Sequence, residues 1–329
     1  MATKKKEKPA GEPGLAGKVA VVAGATRGAG RGIARGLAEA GATVYCTGRS
    51  VRGNPSPYGR PETIEETAER VTAAGGRGIA VRVDHTVEAE VAALFEKVER
   101  ESGRLDVLAC SIAGEDPVLG GWGSFWPQDF ESGATALRQA LLSHVITAKH
   151  AAPLFIRARR GLIVEVTEGD LLFGGGNLIH GLVKFALKGL AVQLAEKLRK
   201  YRVTAVAITP GFLRSESMLE HFRVTEENWR DGGKKDVHFL ESESPLFLGR
   251  AVAALAQDRR ALARSGDLTS SWELAREYGL TDADGRRPDW GRYWEKALPS
   301  LGPMEGGLRR HVDWLDRLAR RGKEYLGIH

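Results

Sequence analysis

Two cysteines in 329 residues, Cys46 and Cys110, exclude a disulfide framework and any multi-cysteine zinc site. Both lie in apolar runs that predict central strands, where they are expected to be reduced, buried and inert, without the neighbours of a metal site. No apolar stretch reads as long enough for a secretory leader or a membrane span, so no membrane role is expected and the expected compartment is the cytoplasm. Strong charge of one sign is also missing, because the net charge is only +6. Two of those six charges come from residues 1–14, where Lys4, Lys5, Lys6 and Lys8 outnumber Glu7 and Glu12. This stretch holds two prolines and no apolar periodicity, so it reads as a disordered basic tail, and a nucleic-acid partner is poorly supported. A small-molecule substrate is the expected partner.

Beyond the tail, short apolar runs alternate with helical periodicity. Strands are expected at Val19–Ala23, Thr43–Thr47, Gly78–Val83, Val107–Cys110, Leu162–Val166, Val203–Ile208 and near Asp267–Ser270. Between them, Glu88 to Glu101 places Val91, Leu94, Phe95 and Val98 on one helical face. The pattern predicts an α/β fold: a Rossmann-type doubly wound parallel sheet of about seven strands with helices on both faces. It fills residues 15–279 as one domain, followed by an extension over 280–329.

The first strand runs into Gly24, Gly28 and Gly30 and then into a helix. Glycines suit such a turn because a Cβ would keep a pyrophosphate from the helix N-terminus, where backbone N–H groups favour an anion. The Gly-x-x-x-Gly-x-Gly spacing resembles that of the short-chain dehydrogenase/reductase family. Further landmarks are Asp84 in VRVDHT, the degenerate Ser111-Ile112-Ala113-Gly114 and Pro210-Gly211, followed by Ser215 where the family often carries threonine. The resemblance spans about Leu15 to Gly279, and TSSWELAREYG at 269–279 is most similar to the DHRS1-like branch. It implies a nicotinamide dinucleotide held by Gly24, Thr26, Arg27, Gly28, Gly30, Arg49, Asp84, His85, Ala113, Gly114, Lys184, Pro210, Gly211 and Ser215.

An acidic residue at the end of the second strand would take a ribose 2′-hydroxyl, whereas a 2′-phosphate needs cations. Here the second strand ends in Gly48-Arg49-Ser50, no carboxylate follows at that point, and the glycine loop carries Arg27. Paired guanidinium donors suit a phosphate, so the expected cofactor is NADP(H).

The resemblance further implies a proton donor, a ribose-holding lysine, a hydroxyl that positions the carbonyl, and an asparagine. Lys184 matches the lysine, but His180 stands four residues earlier where the family has tyrosine. One helical turn separates them, so both are expected to face one cleft. The serine position falls on Thr167 by its spacing of thirteen residues from His180, or on Glu168 by motif alignment. The asparagine has no match: counting back gives Arg138 or Gln139, with Ser143 and His144 one turn on. Gln139 is the nearest chemical substitute, and His144 reads as a helix histidine satisfied by its surroundings. The segment Phe173-Gly174-Gly175-Gly176-Asn177 is expected to line a roomy pocket, and 212–245 to form a substrate lid.

Three functions stay open on these residues. One is NADP-dependent hydride transfer to or from a carbonyl or alcohol, with His180 as acid, Lys184 on the ribose and Thr167 or Glu168 on the substrate oxygen. Another is a non-redox lyase, isomerase or cyclase using His180, Glu168 and Asp170. The third is a catalytically silent NADP-binding protein. The resemblance also implies a homodimer or homotetramer through helices at 130–157 and 178–200. Tryptophans 272, 290, 294 and 314 suggest that the extension packs on the body or on a subunit.

Overall fold

The computed structural model describes residues 14–54, 59–113, 125–169 and 177–297. Seven parallel strands form one sheet in the order β3-β2-β1-β4-β5-β6-β7. They are β1 (Val19–Ala23), β2 (Thr43–Gly48), β3 (Arg77–Arg82), β4 (Val107–Cys110), β5 (Gly161–Val166), β6 (Val203–Thr209) and β7 (Leu268–Ser270). The chain moves outward from β1 to β3, returns to β4 beside β1, and then moves the other way. The switch between β1 and β4 opens a crevice at the carboxyl ends of the strands, where such sheets bind ligands.

Alternation along each strand divides the core. Ala20 and Val22 of β1 face the layer of α1 (Gly28–Glu39), α8 (Pro245–Gln257) and α9 (Ser271–Tyr278). Val19, Val21 and Ala23 face α3 (Glu88–Ser102), α5 (Ser143–Ala158) and α6 (Leu178–Leu198). Period-two side chains buried on both faces explain why these strands are short and apolar throughout. The remaining helices are α2 (Ile64–Ala73), α4 (Phe130–Leu137), α7 (Glu216–Phe222) and α10 (Trp290–Ala297).

Two expectations need correction. The helix expected over 130–157 is not continuous: a π-helical turn, Arg138–Leu142, separates α4 from α5 and shifts which side chains face inward. The segment Leu178–Tyr201 is long and apolar enough by composition to cross a membrane, with mean hydropathy 1.4, contrary to the expectation that no stretch is. It is the crossover helix between the adjacent parallel strands β5 and β6, so its apolar inner face belongs to the sheet. The segment 212–245, expected as a lid, carries an aromatic cluster of its own, Phe222, Trp229 and Phe239.

Helices α1 and α8 meet backbone to backbone. A Cβ at Gly36 would stand 2.2 Å from the carbonyl carbon of Gly249, and one at Gly249 would stand 2.0 Å from the Gly32 oxygen. Neither helix can retreat without uncovering Leu37, Leu248 and Val252. Gly36→Ala is therefore expected to destabilise the fold by about 2 kcal/mol or more through overpacking. Chemical denaturation would check it, and an unchanged midpoint would show that the two helices can part at little cost.

Candidate functional site

The turn after β1 is built for close approach. Gly24 has φ +83°, and a Cβ there would lie 2.4 Å from the Ser111 oxygen, so this glycine lets β1 and the end of β4 close together. Arg27 is the N-cap of α1 but makes no side-chain cap, and the first turn of α1 carries no acidic residue of its own. The helix therefore takes an anion from elsewhere. Gly28 N–H donates to Glu216 Oε2 at 2.7 Å, and Glu216 Oε1 lies 3.1 Å from Arg31 Nη1. Glu216 opens α7 in the lid, next to Ser215, whose side chain caps that helix on Met218 N–H. Arg31 is buried and also holds Glu66 and Thr67, tying α1 to α2. Neither Arg31 nor Glu216 was singled out in the sequence, because their meeting is a long-range event.

Arg27 and Arg49 stand at the same end of the sheet, but carboxylates do reach them. Glu62 lies 3.9 Å from Arg27, and Asp84 lies 3.7 Å from Arg49. The absence of a carboxylate just after β2 thus did not extend to the folded site. Glu62 is already gripped by Arg60 through two bonds, at 2.6 and 3.0 Å, so its hold on Arg27 is the looser one. Burial, the largest influence, lowers the pKa of the Arg27 guanidinium from its ordinary value. Asp84 also accepts from the Thr86 backbone and hydroxyl. His85 is buried, with Nε2 2.7 Å from Thr47 Oγ1 and Nδ1 2.9 Å from Thr147 Oγ1. Burial drives its pKa down to about 3, so both ring nitrogens of a neutral imidazole serve to join β2 to α5. Thr26 is buried beneath the loop. Ala113 is exposed at the end of β4, while Gly114 and Asp170 lie outside the described residues, as do 1–13, Phe173 to Gly176 of the glycine-rich loop, and Trp314.

Asn177 starts α6, its side chain accepting from the N–H groups of Ile179 and His180 at 2.9 and 3.3 Å. This cap fixes the first turn and with it the buried His180, whose Nε2 stands 3.0 Å from Glu168 Oε2. A carboxylate oxygen accepts, so Nε2 carries a proton in this contact. Thr167 takes a different part: its buried hydroxyl donates to the Lys184 carbonyl at 2.9 Å, pinning the end of β5 to α6. Glu168 thus meets the histidine and Thr167 the helix backbone.

The π-helical turn Arg138–Leu142 contains the counted positions Arg138 and Gln139 and ends just before Ser143 and His144. His144, not singled out as a functional group, is the side chain that reaches the end of β4: Nε2 stands 2.9 Å from the Ile112 carbonyl oxygen and Nδ1 2.6 Å from Glu165 Oε2. Cys110, expected to lack ligand-type neighbours, has both within 4.8 Å. Burial, then Glu165, raises the pKa of its thiol well above the usual range.

At the far side of the crevice, Gly211 N–H donates to Glu243 Oε2 at 3.0 Å, and Ser271 Oγ donates to the same oxygen at 2.6 Å. Glu243 thus holds the Pro210-Gly211 turn to α9. The fully buried Arg214 stacks 4.2 Å from the Trp229 ring centroid, donates to the Ser242 carbonyl and pairs with Glu226 at 2.8 Å. Trp290 of α10 packs edge-on against Phe212 at 5.7 Å, so residues up to 297 lie against the lid.

The sequence model of the short chain dehydrogenase family matches residues 18–226. Dehydrogenase/reductase SDR family member 1 of Mus musculus is 38% identical over 277 residues, covering 83% of this chain and 85% of that protein. The 7alpha-hydroxysteroid dehydrogenase of Clostridium sardiniense is 27% identical over 245 residues, 74% of this chain and 88% of the relative. Among solved structures, a short-chain dehydrogenase from Mycobacterium thermoresistibile superposes with TM-score 0.69 at 19% identity, covering 84% of this chain and 92% of its own. A metagenomic short-chain oxidoreductase in complex with NADP gives TM-score 0.57 at 25% identity, covering 74% and 93%.

Burial, the dominant influence, raises the Glu243 carboxyl to about 8 against the hydrogen bonds from Ser271 and Gly211. The folded chain then binds this proton more tightly than the unfolded chain. The associated stability is complete below the ordinary carboxyl range and is lost as pH rises toward 8. Glu243→Gln removes the titration, so the melting temperature of the variant relative to the native chain should climb across that window. A difference that does not change with pH would contradict the assignment.

Proposed function

The chain belongs to the short-chain dehydrogenase/reductase family, in its DHRS1-like branch, and on that premise we propose that it moves hydride between NADP(H) and a carbonyl or alcohol carbon, with His180 as the proton-transfer group. The observation that carries this reading is the buried His180 ring hydrogen-bonded to Glu168, one turn before Lys184, at the carboxyl end of β5. A hydride arriving at a carbonyl carbon leaves charge on oxygen, and a proton donor beside that oxygen relieves it. Glu168 holds the Nε2–H side of the ring, so Nδ1 is the atom that would exchange a proton with the substrate oxygen, and Lys184 would hold the cofactor ribose. When bound, the cofactor would supply the hydride; the loop at Gly24, Gly28 and Gly30 would hold its pyrophosphate, and Arg27 with Arg49 would hold the 2′-phosphate. The metagenomic relative complexed with NADP supports a nicotinamide cofactor of this class.

Parallel calorimetric titrations with NADPH and NADH test the cofactor. NADPH is expected to bind at least about tenfold more tightly, and Arg49→Ala should remove most of that preference, the loss of one charge-assisted phosphate contact. Equal affinities would overturn the NADP assignment. His180→Phe should lower carbonyl-dependent NADPH oxidation by about a hundredfold or more, in the range of general-acid contributions, with cofactor affinity retained. Turnover of substrate without any change in NADPH absorbance would favour the non-redox acid–base reading instead.

Glu216 already sits on the α1 N-terminus, so it competes with the pyrophosphate for the same donors. Glu216→Gln is expected to tighten NADPH binding about fivefold, a gain on the scale of one anion at a helix terminus. Weaker binding would instead make Glu216 a support of the cofactor site.

The outer faces of α4, the π-helical turn, α5 and α6 expose Phe130, Leu142, Val145, Leu182 and Phe185. Exposed apolar side chains on neighbouring helices support pairing of two copies of the chain. Light scattering should give a dimer or tetramer, and Phe185→Glu with Leu182→Glu should give a monomer.

A further inference from the structure

The His144–Glu165 contact lies in the sheet interior, where both side chains are fully buried. His144 Nε2 faces a backbone carbonyl oxygen at 2.9 Å, which can only accept, so that nitrogen carries a hydrogen. Nδ1 faces Glu165 Oε2 at 2.6 Å. A bare imine lone pair opposed to a carboxylate oxygen at this separation would repel, so a proton lies between them. It belongs to a carboxylic acid donating to a neutral ring, or to an imidazolium donating to a carboxylate. The pair is neutral overall either way. That neutrality suits its surroundings, because Glu165 Oε1 has no hydrogen-bond partner and the other groups against the pair are the un-ionised Cys110 thiol and the neutral His85 ring. An anionic pair in this place would be an uncompensated buried charge.

We propose that His144, oriented by Glu165 through one shared proton, is the positioning residue that fixes the cleft-side end of β4 in place of the asparagine this chain lacks. Three segments meet on that ring: Ile112 just beyond β4 at Nε2, the start of α5 after the π-helical turn that carries His144, and, through the shared proton at Nδ1, β5 two residues before Thr167. Ser111 to Ala113 lie against the glycine turn, as the approach of Ser111 to Gly24 shows, so a shift of the Ile112 carbonyl moves the floor of the cofactor crevice. Serving this purpose, His144 touches neither substrate nor cofactor. The functional consequence rests on the proposed cofactor reading; the shared proton does not.

The test uses the full-length chain and its variants Glu165→Gln, Glu165→Ala and His144→Leu. In Glu165→Gln the amide N–H donates to Nδ1, so the ring keeps its orientation without an acid. Proton NMR of the native chain should show one low-field resonance coupled to a labelled histidine nitrogen, absent in all three variants. NADPH affinity should fall about tenfold in Glu165→Ala and His144→Leu, the scale of leaving a buried acceptor unsatisfied, and stay within about twofold of native in Glu165→Gln. Thermal unfolding checks that each variant is folded before binding is read. Absence of the resonance, or stoichiometric zinc in the purified protein lost with a chelator, would overturn the shared proton. Glu165→Gln impaired as severely as Glu165→Ala would overturn the positioning role. A native chain that binds neither dinucleotide but shows the resonance would refute the cofactor reading and, with it, the positioning role, leaving the proton itself established.

Discussion

A parallel sheet covered by helices on both faces forces polar chemistry to the ends of its strands. Here the central strands β1, β4, β5 and β6 are walled by two apolar layers, and the order reversal between β1 and β4 opens the only natural crevice in such a topology. The glycine turn, the end of β4, Thr167-Glu168 after β5 and Pro210-Gly211 after β6 arrive there together. Their convergence is a property of the topology before it is a property of any one side chain. Glu165 tests the rule from inside, as a carboxyl in β5 that the sheet tolerates because a histidine and a proton accompany it.

Charge at the crevice is arranged in opposed pairs. Arg31 faces Glu216 and Glu66, Arg49 faces Asp84, and Arg60 grips Glu62 beside Arg27. Each guanidinium therefore has an internal anion already beside it. On the proposed reading an incoming phosphate would exchange with these carboxylates, so the free energy of binding would be a difference between two sets of ion pairs. Longer contacts, such as those of Arg27 and Arg49, exchange more readily than the bidentate grip of Arg60 on Glu62. Glu216 would contribute to the same exchange, because it links the start of α7 to the first turn of α1.

What was legible in the sequence follows from how local each feature is. Apolar runs marked all seven strands to within a residue at either end, and the strand–glycine–helix order marked the turn after β1, since both depend on neighbours in the chain. The relation of His180 to Lys184 needed only the helical period. In sequence His144 reads only as a satisfied helix histidine, and Glu216, Glu243 and Glu62 escaped notice because the partners that draw them to the site lie 32 to 188 residues away, or because the chain between them has no pattern of its own. His144 carried a further disguise. Counting by ideal turns pointed toward Gln139, while the π-helical turn at Arg138–Leu142 changes the phase, so that the side chain reaching the end of β4 comes from the following turn. The one signal that could have exposed it was chemical: a glutamate in the middle of an otherwise apolar strand, which demands a polar companion from a neighbouring helix.

On the proposed reading, exchange of a tyrosine for the His180–Glu168 pair changes how the reacting proton is held. His180 is only 6% exposed at its side chain, whereas Glu168 is 67% exposed. The pair therefore spans from the buried cleft to the solvent at the end of β5. With Nε2–H donating to Glu168, the proton that goes to substrate would leave from Nδ1, so on this reading the acid is the imidazolium, its charge offset by the Glu168 carboxylate. Thr167 supports this arrangement by tying the strand end to the Lys184 carbonyl, so β5 and α6 are held together at this point. A phenol would reach farther into the cleft than an imidazole does, so the substrate oxygen must approach closer to α6 in this chain.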